Sequence, residues 1–87
     1  MQADRSEVAR LLKTARGQID GIIRMVEDDR YCIDIANQIM ATQAILSKTN
    51  KLVLSAHMHG CVREAVKSGD PDAKIDELTP VIDNLIK

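Results

Sequence analysis

Two cysteines and a histidine are the residues of this chain best suited to chemistry: Cys32, His57 and Cys61. Thiolate sulfur and imidazole nitrogen select soft or borderline ions, chiefly Cu(I) and Zn(II). Zinc prefers four ligands in a tetrahedron, which leaves this set one short, whereas three soft ligands suit trigonal Cu(I). His57 and Cys61 are four apart and therefore neighbours on one helical face. Cys32 is not their neighbour: at roughly 1.5 Å per residue it lies about 37 Å from His57 along a continuous helix. The three can act together only if Cys32 comes from a second copy of the chain, so the metal chemistry and self-association form one hypothesis. The bland alternative makes both cysteines small buried core residues and His57 a surface polar group. His59, the remaining histidine, projects roughly 200° away from His57 on the helical wheel and is read as solvent-facing.

The elements that must position these groups are helical throughout. Val8, Leu11, Leu12, Ala15, Ile19, Ile22, Ile23 and Val26 recur at three-and-four spacing and predict an amphipathic helix over residues 5–27, with Asp4 or Ser6 as its cap. Gly17 and Gly21 weaken that helix by roughly 1 kcal/mol each relative to Ala and suggest close helix contact there. The run at 27–30, EDDR, reads as a polar connection. Residues 31 to about 67 contain no Pro and one Gly, and their apolar groups cover more than one face, which predicts a long second helix with partners on two sides. Ser68-Gly69-Asp70-Pro71 is a stop followed by a start, with Asp70 as N-cap and Pro71 at the first helical position. Ile75, Leu78, Val81, Ile82, Leu85 and Ile86 form the stripe of a third, shorter helix, which Pro80 should kink or interrupt. The fold class is thus all-α, a single domain over residues 1–87, with a long two-helix hairpin and a short third helix.

At 87 residues, with Tyr31 the one aromatic, the core must be built from aliphatic side chains. So small a chain rarely supports itself without disulfides or partners, and an obligate oligomer is expected. An antiparallel pairing of the second helix with its copy would bring Cys32 of one chain toward residues 57–61 of the other. No stretch approaches the roughly 20 apolar residues that span a bilayer, and the N-terminus, MQADRSEVAR, has no apolar signal region, so a soluble cytoplasmic protein is expected. There the cysteines are reduced by default. Net charge is −1, unlike a generic nucleic-acid binder, yet no acidic residue falls between Asp34 and Glu64, where Lys48, Lys51 and Arg63 lie. Arg5, Arg10, Lys13, Arg16 and Arg24 crowd the first helix. A local basic surface for a phosphate backbone is compatible with that distribution.

The segments RGQIDGIIRMVEDDRYCIDI, ANQIMATQAIL and LSAHMHGC resemble the copper-sensitive operon repressor (CsoR) family of bacterial metal-responsive transcriptional regulators over nearly the full chain. The resemblance implies three-helix protomers in antiparallel dimers that pair into tetramers. It implies Cu(I) at Cys32, His57 and Cys61, with Tyr31 and Glu77 hydrogen-bonding and orienting His57 from outside the ligand set. Nickel- and cobalt-sensing members carry an N-terminal His and a His in place of the last Cys, neither present here. The resemblance further implies a flat basic face for operator DNA rather than a helix-turn-helix, with Arg16, Lys48 and Lys51 at matching positions. Lys13 belongs to the same basic helix. One family Arg aligns with Leu11, and its neighbour Arg10 could stand in only by pointing about 100° away. Arg24 and Arg30 are read as a solvated face.

The expected activity follows: the apo protein represses, and Cu(I) joining Cys32 of one chain to His57 and Cys61 of its partner favours a conformation with weaker DNA affinity, which derepresses copper-resistance or efflux genes. The alternative within the family is a persulfide-sensing repressor that uses Cys32 and Cys61; such members lack the His. An enzyme finds no support in a Ser/His/Asp set, a phosphate loop or a carboxylate pair. A copper-storage scaffold would gain nothing from the acid-free stretch around Lys48 and Lys51.

Overall fold

A computed structural model describes residues 1–86 of the chain, with the side-chain packing of Ile86 and all of Lys87 outside the described residues. It contains three helices, α1 (Arg5–Glu27), α2 (Cys32–Ser68) and α3 (Pro71–Ile86). Local chemistry sets each boundary. The Asp4 carboxylate accepts from the Ser6 amide at 3.0 Å and caps α1. That helix ends at Asp28, and Asp29 turns the chain at φ 54, a left-handed conformation that Asp tolerates. Gly69, at φ 75, closes α2 by donating its amide to the Ala65 carbonyl at 2.9 Å. Asp70 then accepts from the Ala73 amide at 3.4 Å while Pro71 opens α3. Pro80 lies inside α3 without interrupting it, and the residue before it, Thr79, donates its hydroxyl to the Ile75 carbonyl at 2.7 Å.

Helices α1 and α2 form an antiparallel hairpin. Val8, Leu11 and Ala15 of α1 are buried against α2, whose buried residues are Thr42, Thr49 and Cys61. Both hydroxyls are satisfied: Thr42 donates to Gln18 Oε1 across the hairpin at 2.8 Å, and Thr49 donates to the Ile45 carbonyl at 2.7 Å. Helix α3 packs on α2 and, among the described residues, not on α1. A Cβ at Gly17 or Gly21 would meet nothing within 4 Å, so neither glycine serves a close helix contact within the protomer. The glycine that admits a neighbour is Gly60, where a Cβ would come within 3.1 Å of the side chain of Gln2 in the segment before α1.

This protomer leaves much of its apolar surface uncovered. Leu12, Ile19, Ile23 and Val26 make a second stripe on α1 that α2 does not reach, and Ile33, Ile39, Met40 and Leu46 are exposed on α2. The radius of gyration is 17.4 Å, against about 12 Å for a compact domain of this length. Accessible surface is 6578 Å², against about 5,100 Å² for a folded monomer of this mass.

Candidate metal centre

Helix α2 carries both halves of the predicted ligand set, at opposite ends. Cys32 is its first residue, exposed, with Tyr31 beside it at the N-cap and 66 % exposed. Tyr31 makes no side-chain capping bond, and this end of the helix contacts neither His57 nor Cys61 in the protomer. Twenty-five residues are almost seven helical turns, so Cys32 and His57 nevertheless share one stripe of α2. Between them the stripe runs through Ala36, Ile39, Gln43, Leu46, Asn50 and Val53, the alternating three-and-four spacing of a heptad seam. All but Val53 and His57 are exposed, and those two are half-buried.

The other end is assembled. Cys61 is buried, its thiol 3.2 Å from Nε2 of His57, and Glu77 of α3 places Oε1 3.6 Å from the same nitrogen. One atom from each of the three lies within 4.8 Å of the others. Glu77 therefore sits beside His57, as an orienting partner must. Because it faces the nitrogen that also faces Cys61, two arrangements are chemically distinct. With Nε2 on an ion, Glu77 becomes a third donor; with Nδ1 on the ion, Glu77 accepts from Nε2–H and fixes the tautomer. Rotation about χ2 of the imidazole exchanges them, and that torsion is soft.

Two residues that sequence inspection passed over complete this end. Lys74 Nζ is 3.2 Å from Glu64 Oε2 and 3.9 Å from Glu77 Oε2, so one ammonium ties α2 to α3 and holds the carboxylate oxygen that His57 does not face. The Glu64 hydrogen bond, and then the negative charges of Glu64 and Glu77, raise the pKa of Lys74 and keep it cationic. The three-residue spacing of Lys74 and Glu77 was available in the sequence; the tertiary pairing with Glu64 was not. Behind Cys61, a cleft of about 400 Å³ between α2 and α3 is lined by Val62, Ala65, Pro71, Ile75 and Leu78. His59 is exposed and lines a different groove with Met58 and Arg63.

The predicted basic residues Arg10, Lys13, Arg16, Lys48 and Lys51 are all exposed. They are not equivalent. Arg10 is paired with Glu7 at 2.6 Å, and the guanidinium hydrogen bond followed by its charge holds the Glu7 carboxylate below its usual range. Lys48 lowers it further, so α1 and α2 bring these groups to one surface. Leu11, at the position of a family Arg, is buried on the hairpin seam and presents nothing outward.

The chain spans 61 % of the length of the copper-sensing transcriptional repressor CsoR of Mycobacterium ulcerans, to which it is 46 % identical over 71 residues, 82 % of its own length. To the copper-sensing transcriptional repressor CsoR of Bacillus subtilis it is 42 % identical over 84 residues, covering 97 % of this chain and 83 % of the relative. Its fold matches the crystal structure of the copper-sensing repressor CsoR with Cu(I) from Geobacillus thermodenitrificans with a TM-score of 0.85 at 37 % identity, covering 100 % of this chain and 94 % of that one. The nickel-responsive transcriptional regulator InrS matches with the same TM-score, 0.85, at 26 % identity, over 98 % and 96 %. Equal scores for a copper and a nickel protein mean that the backbone does not choose the ion, and the ligand set must. The model of the metal-sensitive transcriptional repressors matches residues 4–84, and the chain belongs to that family.

Proposed function

We propose that this protein is a copper-responsive transcriptional repressor: metal-free, it binds operator DNA, and Cu(I) bound between two protomers releases it. The observation that carries this proposal is the half-assembled site, His57 and Cys61 together on one end of α2 with Cys32 on the same stripe at the other. Cys32 of the partner subunit, His57 and Cys61 would hold the ion, with Glu77 and Tyr31 as orienting neighbours. Two thiolates and an imidazole are a soft set, matched to Cu(I), and three donors leave no need for a fourth. His57 also weighs against a pure sulfur switch, since joining two cysteines by persulfide chemistry requires no imidazole beside them.

The partner is a second copy of the chain. The protomer exposes about 1,500 Å² more than a compact monomer of its mass, roughly twice the 800 Å² or so that one partner gives to a standard interface. An antiparallel α2 pairing that sets Cys32 opposite residues 57–61 has its twofold axis between Ile45 and Leu46, where Leu46, 42 % exposed, is the apolar seam residue between Gln43 and Asn50. The second apolar stripe, Leu12 to Val26 on α1, supplies the face on which two dimers form a tetramer. Lys13, Arg16, Lys48 and Lys51 then present a basic surface to phosphates, with Arg10 available once it leaves Glu7. Such contacts position the duplex without reading its bases, so operator choice rests on DNA shape. The assembly works in the cytoplasm, where its thiols stay reduced; among the described residues no helix is long and apolar enough to cross a membrane.

Fluorescence anisotropy with operator DNA tests the regulatory claim. Cu(I) should weaken binding by about 5- to 150-fold, the usual span of an allosteric coupling. Equal affinity of metal-free and Cu(I)-loaded protein refutes it.

A further inference from the structure

The assembled end of α2 has three donors of its own, and they are not the three proposed for copper. Imidazole nitrogen, thiol sulfur and carboxylate oxygen converge from α2 and α3 of a single protomer, with Nε2 3.2 Å from Cys61 Sγ and 3.6 Å from Glu77 Oε1. Bond lengths of about 2.0–2.3 Å at a tetrahedral angle put zinc ligands roughly 3.6 Å apart, so small side-chain adjustments would admit an ion. Three protein ligands and one water form an ordinary open zinc site. The remaining Glu77 oxygen faces Lys74 at 3.9 Å, and Lys74 is anchored on Glu64 at 3.2 Å, the outer-sphere support that orients a ligating carboxylate. A hard carboxylate oxygen suits a borderline divalent ion and is a poor match for Cu(I).

We infer that a borderline divalent ion of the Zn(II) class binds within one protomer, on His57, Cys61 and Glu77, and is silent at the operator because it never engages the partner's Cys32. The Cys61 thiol loses its proton to solvent on binding, and water fills the fourth position. The inference rests on the copper reading of the same His57 and Cys61. The two ions share that pair and differ in the third ligand, an intramolecular oxygen for one and an intersubunit sulfur for the other. Discrimination then lies in what each ion ties together. Zn(II) pins α3 to α2; Cu(I) joins two chains. Affinity alone could not supply this, since nitrogen and sulfur sites bind several late divalent metals tightly.

The test measures Zn(II) affinity by chelator competition and Co(II) absorption for the full-length wild type, Cys32→Ser, Glu77→Gln and Glu77→Asp, alongside Cu(I) affinity and operator binding. Cys32→Ser should keep Zn(II) affinity within about threefold and the single-thiolate Co(II) spectrum, whereas Glu77→Gln should lose at least about tenfold for Zn(II) and Glu77→Asp should recover part of it. Zn(II) should leave operator affinity within about twofold of the metal-free protein, a coupling factor near one. Loss of Zn(II) binding in Cys32→Ser, undiminished Zn(II) binding in Glu77→Gln, or release of DNA by Zn(II) overturns the inference. Failure of Cu(I) to release the wild type overturns the copper reading instead, and the Zn(II) comparison of the variants still decides this one.

Discussion

The two ends of α2, proposed above as complementary halves of one site, are in opposite states of preparation. At the C-terminal end, α3 folds back through Gly69 and Asp70 to place Glu77 and Lys74 against His57 and Cys61. At the N-terminal end, Tyr31 and Cys32 begin the helix without a side-chain capping bond, and both are exposed. The first is prepared within the chain; the second waits for a partner. A sensor benefits from that asymmetry. A site complete in one protomer would report a metal without changing the assembly, whereas a site divided between protomers makes occupancy and quaternary geometry a single equilibrium.

Three substitutions break or sharpen this contrast, in descending order of effect. Cys32→Ser removes the bare half and should raise the Cu(I) dissociation constant by more than about 100-fold, beyond the range for loss of an outer-sphere partner, while NMR signals of His57 and Glu77 in the metal-free protein stay in place. Movement of those signals would mean that the two ends already communicate without metal. Leu46→Asp removes two leucines from the proposed axis and sets two carboxylates against each other, a cost of at least about 3 kcal/mol, or roughly 100-fold in dimer dissociation by analytical ultracentrifugation. An unchanged dimer would move the axis off Leu46 and with it the pairing of the two ends. Tyr31→Phe removes one hydroxyl from the bare end and should weaken Cu(I) binding by about tenfold, with helix content by circular dichroism unchanged. A null result there would reduce Tyr31 to an interface aromatic.

The hairpin, the caps and the helix ends were legible in the sequence because each has a local cause: Asp4 beside Ser6, Gly69 before Asp70 and Pro71, apolar residues at helical spacing. His57 with Cys61 was legible for the same reason, since four residues on a helix fix neighbours. What pattern could not resolve was which half of a wide apolar sector turns inward. Leu11 and Leu12 are adjacent and equally apolar, yet Leu11 is 6 % exposed and Leu12 46 %. The difference is decided by where α2 lies. Gly17 and Gly21 mark no contact inside the protomer for a related reason: glycine signals close approach only where something approaches, and within the protomer that place is Gly60 under Gln2. The Glu64–Lys74 pair joins two helices through a turn, and no periodicity encodes it.

The unbroken length of α2 also makes it intolerant of insertion. One residue added between Cys32 and His57 would rotate everything beyond it by about 100° and take the thiolate off the stripe it shares with the imidazole. Seven added residues would restore the face to within about 20°. They would also move the two ends about 10 Å farther apart, and antiparallel copies could re-pair those ends only with the twofold at the new midpoint, which moves it off Ile45 and Leu46 unless the insertion falls there. On the proposed divided site, the chemistry at two distant points is kept in phase by a count of residues, so the stretch that touches no ligand is as constrained in length as the ligands are in identity.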